Sequence, residues 1–151
     1  MFNFIDISSV LSKQKIIVFG SYQPENIKIL ELLVQYLVDN GLKETFLAKD
    51  LENPFQSIYK KIKKLMKDYD FCIFVFFSNG NDSVALELTS FVLSDLFEKK
   101  SSRIMVYLPY GYDYSMVKDF ISEFNLNVFE YQNEFQIVSH CFNFIKRNFV
   151  N

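Results

Sequence analysis

Apolar positions along the chain fall into two alternating patterns. One is the short, nearly continuous run; the other recurs every three or four residues. Lys15-Ile16-Ile17-Val18-Phe19 is a run of the first kind, rich in β-branched residues and ending at Gly20. Such a run predicts a strand covered on both faces. Pro24 then suits the first turn of a helix, with Ile27, Leu30, Leu33, Val34, Leu37 and Val38 on one face and Asn40-Gly41 closing it. Glu44 to Ala48 reads as a shorter, more polar strand, placed near an edge. A helix over about Phe55 to Lys67 follows, with Ile58, Ile62, Leu65 and Met66 inward and Lys60, Lys61, Lys63, Lys64 and Lys67 as a solvated outer face. Phe71 to Phe77 is the most apolar strand and is expected to be central. After the polar turn Ser78–Ser83, a helix over Ser83 to Glu98 carries Val84, Leu88, Phe91, Val92 and Leu96. Arg103 to Leu108 and Asn127 to Tyr131 read as strands, Met116 to Phe124 and Glu134 to Asn148 as helices.

Strand and helix thus alternate five times from residue 15 onward. Alternation of this kind implies right-handed crossovers and a parallel sheet with helices on both faces. The expectation is a three-layer α/β fold with a five-stranded parallel sheet in the flavodoxin-like order 2-1-3-4-5. Residues 1–14 are a lead-in with a short helix over Phe4 to Leu11, and residues 15–151 form a single domain. In such sheets ligands bind beyond the carboxyl ends of the strands, where the strand order reverses. That rule selects the loops Gly20–Pro24 and Ser78–Ser83, with Pro109–Tyr114 beside them.

Composition narrows the function classes. The 151 residues carry 16 basic and 18 acidic side chains, a formal net charge of −2, so duplex nucleic-acid binding is disfavoured. No apolar stretch approaches the length of about 20 residues that a membrane span needs, and no signal-peptide pattern opens the chain. Cys72 and Cys141 lie in apolar contexts without metal-ligand spacing, which reads as reduced, packed thiols in a cytoplasmic protein. His140, the single histidine, falls in the last helix and reads as a packing or surface residue, so neither a hydrolytic triad nor zinc is expected. No metal and no cofactor are expected. The 18 Phe and 9 Tyr exceed what one core of this size needs, which points to an exposed face used in a homodimer.

The candidate chemistry gathers at the strand-order reversal. Gly20, Ser21 and Tyr22 end the first strand, where backbone approaches a ribose or phosphate closely. Asn79, Asn81, Asp82 and Ser83 lead into a helix whose first N–H groups favour anions. Glu87 stands one turn beyond Ser83 among Val84, Leu86 and Leu88, where desolvation raises a carboxyl pKa. The competing reading of Glu87 is a solvent-facing partner of the helix dipole. Tyr110 and Tyr112 offer ring faces on which a base can stack.

Asp82-Ser83-Val84-Ala85-Leu86-Glu87-Leu88 resembles the D-x-G-T-A-x-E-L segment of the nucleoside 2-deoxyribosyltransferases, matching Ala85, Glu87 and Leu88, with Asp82 one residue nearer the Glu and the Gly and Thr missing. It is also similar to the S-x-W-C-x-x-E-L pattern of catalytic Toll/interleukin-receptor domains, where Glu87-Leu88 match and Ser83 and Val84 replace Trp and Cys. Gly80 and Glu87 keep the spacing of P-G-G-x-G-T-x-x-E in the lysine-decarboxylase-like phosphoribohydrolases. All three groups break or remake an N-glycosidic bond. The resemblance implies Glu87 as catalytic carboxylate and Gly20, Ser21, Tyr22, Asn79, Asn81, Asp82, Ser83, Tyr110 and Tyr112 as contacts to a nucleotide or nucleoside. The alternative is a non-catalytic module of the same fold that senses a nucleotide or binds a protein. A receiver domain is rejected, since Phe77 and Gly20-Ser21 stand where it needs acidic residues.

Overall fold

The five runs pair edge to edge, and the most apolar of them present side chains to both sides and so need cover on both. In a computed structural model describing residues 7–51, 57–94, 97–112 and 115–149, they form β1 (Lys15–Gly20), β2 (Glu44–Leu47), β3 (Phe71–Val75), β4 (Ile104–Pro109) and β5 (Asn127–Tyr131). The sheet has five strands in the order β2-β1-β3-β4-β5, every pair parallel. This is the flavodoxin-like three-layer arrangement. β3 is central and wholly buried, and the more polar β2 is an edge.

The helices are α1 (Ile7–Ser12), α2 (Pro24–Asp39), α3 (Ile58–Asp68), α4 (Asp82–Val92), α5 (Phe97–Lys100), α6 (Ser115–Glu123) and α7 (Phe135–Arg147). On one face, Val18, Ile73, Val75 and Tyr107 pack with Leu30, Leu33 and Leu37 of α2 and Ile137, Cys141 and Ile145 of α7. On the other, Phe19, Phe74, Phe76 and Val106 pack with Ile62 and Met66 of α3, Val84, Leu88 and Phe91 of α4, and Ile121 of α6. Alternate residues of each strand serve opposite faces, as the pleat requires.

Three elements differ from the sequence expectation. The helix predicted over Ser83 to Glu98 is two pieces: α4 ends at Val92, where Ser94 N–H turns back to the Phe91 carbonyl (3.1 Å), and α5 begins at Phe97. Leu96, expected inward on that helix, lies outside the described residues. The helix expected from Phe55 begins at Ile58, because Ser57 takes the cap position and its hydroxyl accepts from Lys60 N–H (3.3 Å). Phe55 itself, and the first residues of the Phe4–Leu11 helix, lie outside the described residues. On α2 the inward stripe starts at Asn26 rather than Ile27, running Asn26, Leu30, Leu33, Leu37.

Phe91 fixes α4 on the sheet. Its ring meets Phe74 edge-on (centroids 5.2 Å apart) and Phe19 (6.0 Å), while Phe19 and Phe74 stack at 4.7 Å. Each such pair contributes about 0.5–1.5 kcal/mol beyond its burial. One turn before Phe91 stands Glu87.

Candidate functional site

β1 ends at Gly20, a crowded position. A Cβ there would lie 2.8 Å from a Leu30 methyl and 3.3 Å from the Val75 carbonyl oxygen. Its small size therefore lets α2 pack close to β1 and β3. Ser21 follows, 1% exposed. Its hydroxyl accepts from Asn26 Nδ2 (3.0 Å) and from Gln23 N–H (3.3 Å). The same Asn26 amide also donates to the Asn79 carbonyl (3.3 Å), with Asn79 Oδ1 at 3.5 Å. Buried Asn26 thus fastens the loop after β1 to the loop after β3.

Gly80 makes that closure sterically possible. It sits at φ +73°, and a Cβ on it would lie 2.7 Å from both Ser21 Oγ and Gln23 Cδ. The two loops that the reversal of strand order marks as walls of a cleft lie against each other.

Asn81 is committed to the β3 loop. Its Oδ1 accepts from Phe77 N–H (2.8 Å), and its Nδ2 donates to the Phe77 carbonyl (2.6 Å) and to Tyr112 Oη (3.2 Å). The Tyr112 ring leans over Phe76, centroids 6.3 Å apart. Tyr22 packs partly buried on the α2 side of the sheet, with Lys49 Nζ 5.8 Å from its ring centre. Asn79, Asp82 and Ser83 are exposed at the approach to α4.

Glu87 belongs to the buried stripe of α4, with Val84, Leu88 and Phe91 at helical spacing, and is 6% exposed. The solvent-facing reading of this residue therefore does not hold. The sequence spacing put Ser83 and Glu87 on one face, but Ser83 is exposed and Glu87 is not. The rotation of α4 is set by Phe91 against Phe19 and Phe74, which turns residue 87 toward the sheet.

Tyr110 stands apart from this group. It is 68% exposed, and its N–H donates to the Tyr131 carbonyl (2.8 Å). Beside it a cleft of about 320 Å³ opens over the ends of β4 and β5, lined by Ser78, Pro109, Tyr110, Tyr131, Gln132 and Glu134. The floor is held by the buried Tyr131 hydroxyl, which donates to the Phe76 carbonyl at 2.7 Å. Burial first, then the negative charge of Glu134 and the phenol of Tyr112, pushes the Tyr131 phenol up, so this donor keeps its proton.

Elsewhere, His140 stacks on Phe129 (4.0 Å, 24°), and its Nδ1 is 2.9 Å from Tyr107 Oη. Burial, and then Arg147, lowers its pKa. Cys72 and Cys141 are free and buried, and burial pushes the Cys141 thiol up to about 12. Among the described residues, no group of three His, Cys, Asp or Glu is placed to hold a metal, and no helix is long and apolar enough to cross a membrane.

Sequence reasoning missed Asn26, Lys49 and the Gln132–Glu134 rim. For Asn26 a signal existed: it lies four residues before Leu30, on the face that Leu30, Leu33 and Leu37 continue. No protein-family model matches the chain, and neither a curated protein nor a solved structure matches it with significance.

Proposed function

We propose that the protein cleaves or transfers the N-glycosidic bond of a nucleoside or nucleotide, with Glu87 as the carboxylate beside the anomeric carbon. The burial of Glu87 carries this reading. Glutamate is seldom buried, because taking its charge out of water is costly. An apolar residue would complete the Val84–Leu88–Phe91 stripe more cheaply, so a carboxylate held there by α4 suggests a use. In a dry setting a carboxylate stabilises positive charge at a ribose carbon far better than in water. As the C1′–N bond breaks, its electron pair leaves with the base, which takes a proton. C1′ then bonds to a water oxygen, or first to a Glu87 oxygen and afterwards to the acceptor.

Asn79, Asp82 and Ser83 would meet sugar hydroxyls, and the exposed Tyr110 ring would take the base. Gly20, Ser21, Tyr22 and Asn81 would line the inner wall, with Tyr112 closing over Asn81. Access to Ser21 requires the Asn79–Gly80 segment to lift, since Asn26 holds it down. We also take the protein to work in a reducing cytoplasm, on the support of its two free, buried thiols. A homodimer remains part of the proposal, with the exposed Leu86 of α4, Leu93 just beyond its end and the helix-end residue Phe135 as apolar surface.

A second reading is favoured by a different observation. The Ser21–Asn26–Asn79 hydrogen bonds and the Asn81–Phe77 pairing occupy polar groups that an enzyme would leave for substrate. A module that senses a ligand through the opening of these loops fits that pattern. Free-base release from NAD, ribonucleotides and deoxynucleosides, followed by chromatography for the wild type and Glu87→Gln, separates the two. Release by the wild type alone supports the enzyme; none from any substrate by a folded protein supports the sensor.

A further inference from the structure

The cleft over the ends of β4 and β5 has a chemistry of its own. Its volume, about 320 Å³, is at the small end of the range of about 300–1,000 Å³ typical of small-molecule sites. Among its described lining residues one side chain is charged, the Glu134 carboxylate, and one ring is widely exposed, Tyr110. No Lys, Arg or His is among them.

The start of a helix such as α7 ordinarily suits an anion, because its first N–H groups are free to donate. Here they are engaged. Phe135 N–H donates to Asn133 Oδ1 (2.8 Å), Gln136 N–H to the Asn133 carbonyl (2.9 Å) and Ile137 N–H to the Glu134 carbonyl (3.1 Å). In the turn before them, Gln132 N–H (2.8 Å) and Asn133 N–H (3.3 Å) donate to Gln136 Oε1. After β4, Tyr110 N–H donates to the Tyr131 carbonyl (2.8 Å) and Tyr112 N–H to the Pro109 carbonyl (2.9 Å). On the floor, the Tyr131 hydroxyl is taken by the Phe76 carbonyl (2.7 Å). These donors are turned into the protein, whereas an ionised carboxylate offers only acceptors. Its full negative charge outweighs the roughly half positive charge of a helix end. That charge reaches the floor of the cleft, since Glu134 is the cause that follows burial in raising the Tyr131 phenol.

We propose that this cleft binds a small organic cation, an ammonium group on a short carbon chain, with the nitrogen between the Glu134 carboxylate and the face of the Tyr110 ring and the chain against Pro109. The ammonium N–H groups donate to the carboxylate, and the negative face of the ring attracts the same charge. An anion of equal size meets repulsion from Glu134 and engaged donors, and a neutral alcohol loses the charge term. The site is independent of the Glu87 reaction, because α4 packs on the opposite face of the sheet from Tyr131 and α7. Tyr110, 68% exposed, has ring area for this contact besides the one given to it above.

n-Butylammonium, n-butanol and n-butyrate share a chain length and differ in charge. Titration of each into the full chain at low salt, followed by amide NMR shifts, tests the assignment. The expected result is saturable shifts at Tyr110 and at residues 132–134 with butylammonium, binding about tenfold tighter than butanol, and no saturation with butyrate. Glu134→Gln keeps the shape of the side chain and is expected to weaken butylammonium about tenfold while leaving butanol unchanged. Tyr110→Leu is expected to weaken butylammonium about threefold, and Glu134→Lys to turn the preference toward butyrate. Both side chains are exposed, so the variants are expected to melt with the wild type. Equal binding of the three probes, no binding of butylammonium, shifts centred away from the cleft, or a butylammonium affinity that survives Glu134→Gln overturns the proposal.

Discussion

The carboxyl edge of the sheet has two regions of opposite character. At β1 and β3, where strand order reverses, the loops are drawn together: Asn26 bridges Ser21 and Asn79, and Gly80 lies on Ser21 and Gln23. At β4 and β5, Tyr110 N–H also reaches the Tyr131 carbonyl, but the residues after β5 bond within their own segment, and a cleft lined by Tyr110 and Glu134 remains. Where a buried amide reaches across, the crevice is closed by the protein itself. The catalytic candidate, Glu87, follows the β3 loop in sequence, whereas the described cleft lies at β4 and β5.

This contrast is easiest to break at Gly80. Gly80→Ala adds a Cβ at 2.7 Å from Ser21 Oγ, at a residue with φ +73°, and is expected to cost about 2–4 kcal/mol by chemical denaturation. An undiminished denaturation midpoint would mean that the loops are not pressed together. Asn26→Ala comes next. It removes the bond that the Asn26 amide makes to the Asn79 carbonyl and one of the two donors to the buried Ser21 hydroxyl, a loss of about 1–3 kcal/mol, and hydrogen exchange should quicken at residues 21–26 and 78–81 but not at 131–136. Uniform exchange across both regions would erase the difference between them. Tyr131→Phe removes the donor to the Phe76 carbonyl and should cost about 1 kcal/mol while leaving exchange near Asn26 unchanged.

The smallest effect is one of pH. His140 lies behind β4 and β5 with its pKa held below the ordinary value by burial and by Arg147. The unfolded chain therefore takes up a proton at a pH where the folded chain does not. Stability from this group is full above about pH 6.5 and declines as pH falls through that value toward the lowered one. Thermal melts of the wild type should show this decline and those of His140→Gln should show less of it. A steeper decline in the variant would reverse the sign of the account.

Much of the fold was legible because it is written in local period. Ile16–Phe19 and Phe71–Val75 are strands by composition alone, and Leu30, Leu33 and Leu37 mark a helix face. Element ends were less so. The break after Val92 follows no Gly or Pro, and the start of α3 depends on the Ser57 hydroxyl reaching Lys60. At the site, Glu87 was legible as an acid out of place among apolar neighbours, but its direction was not, since the rotation of α4 is decided by Phe91 meeting rings from two other strands. Asn26 escaped notice because a polar residue in a first turn ordinarily faces water, and its partner Asn79 is 53 positions away. The rim of the open cleft was hidden for the same reason: Tyr110 and Glu134 meet only once β4 and β5 have paired.

The account turns on the Glu87 carboxylate, and one comparison tests it most directly. Glu87→Gln keeps the shape of the side chain and removes its charge. Base release by the wild type and this variant would be measured side by side, at matched folded fractions, over NAD, ribonucleotides and nucleosides. The prediction is release by the wild type and a loss of about a thousandfold in the variant, with ligand binding retained. Equal release by both proteins, or none by a folded wild type, would contradict it.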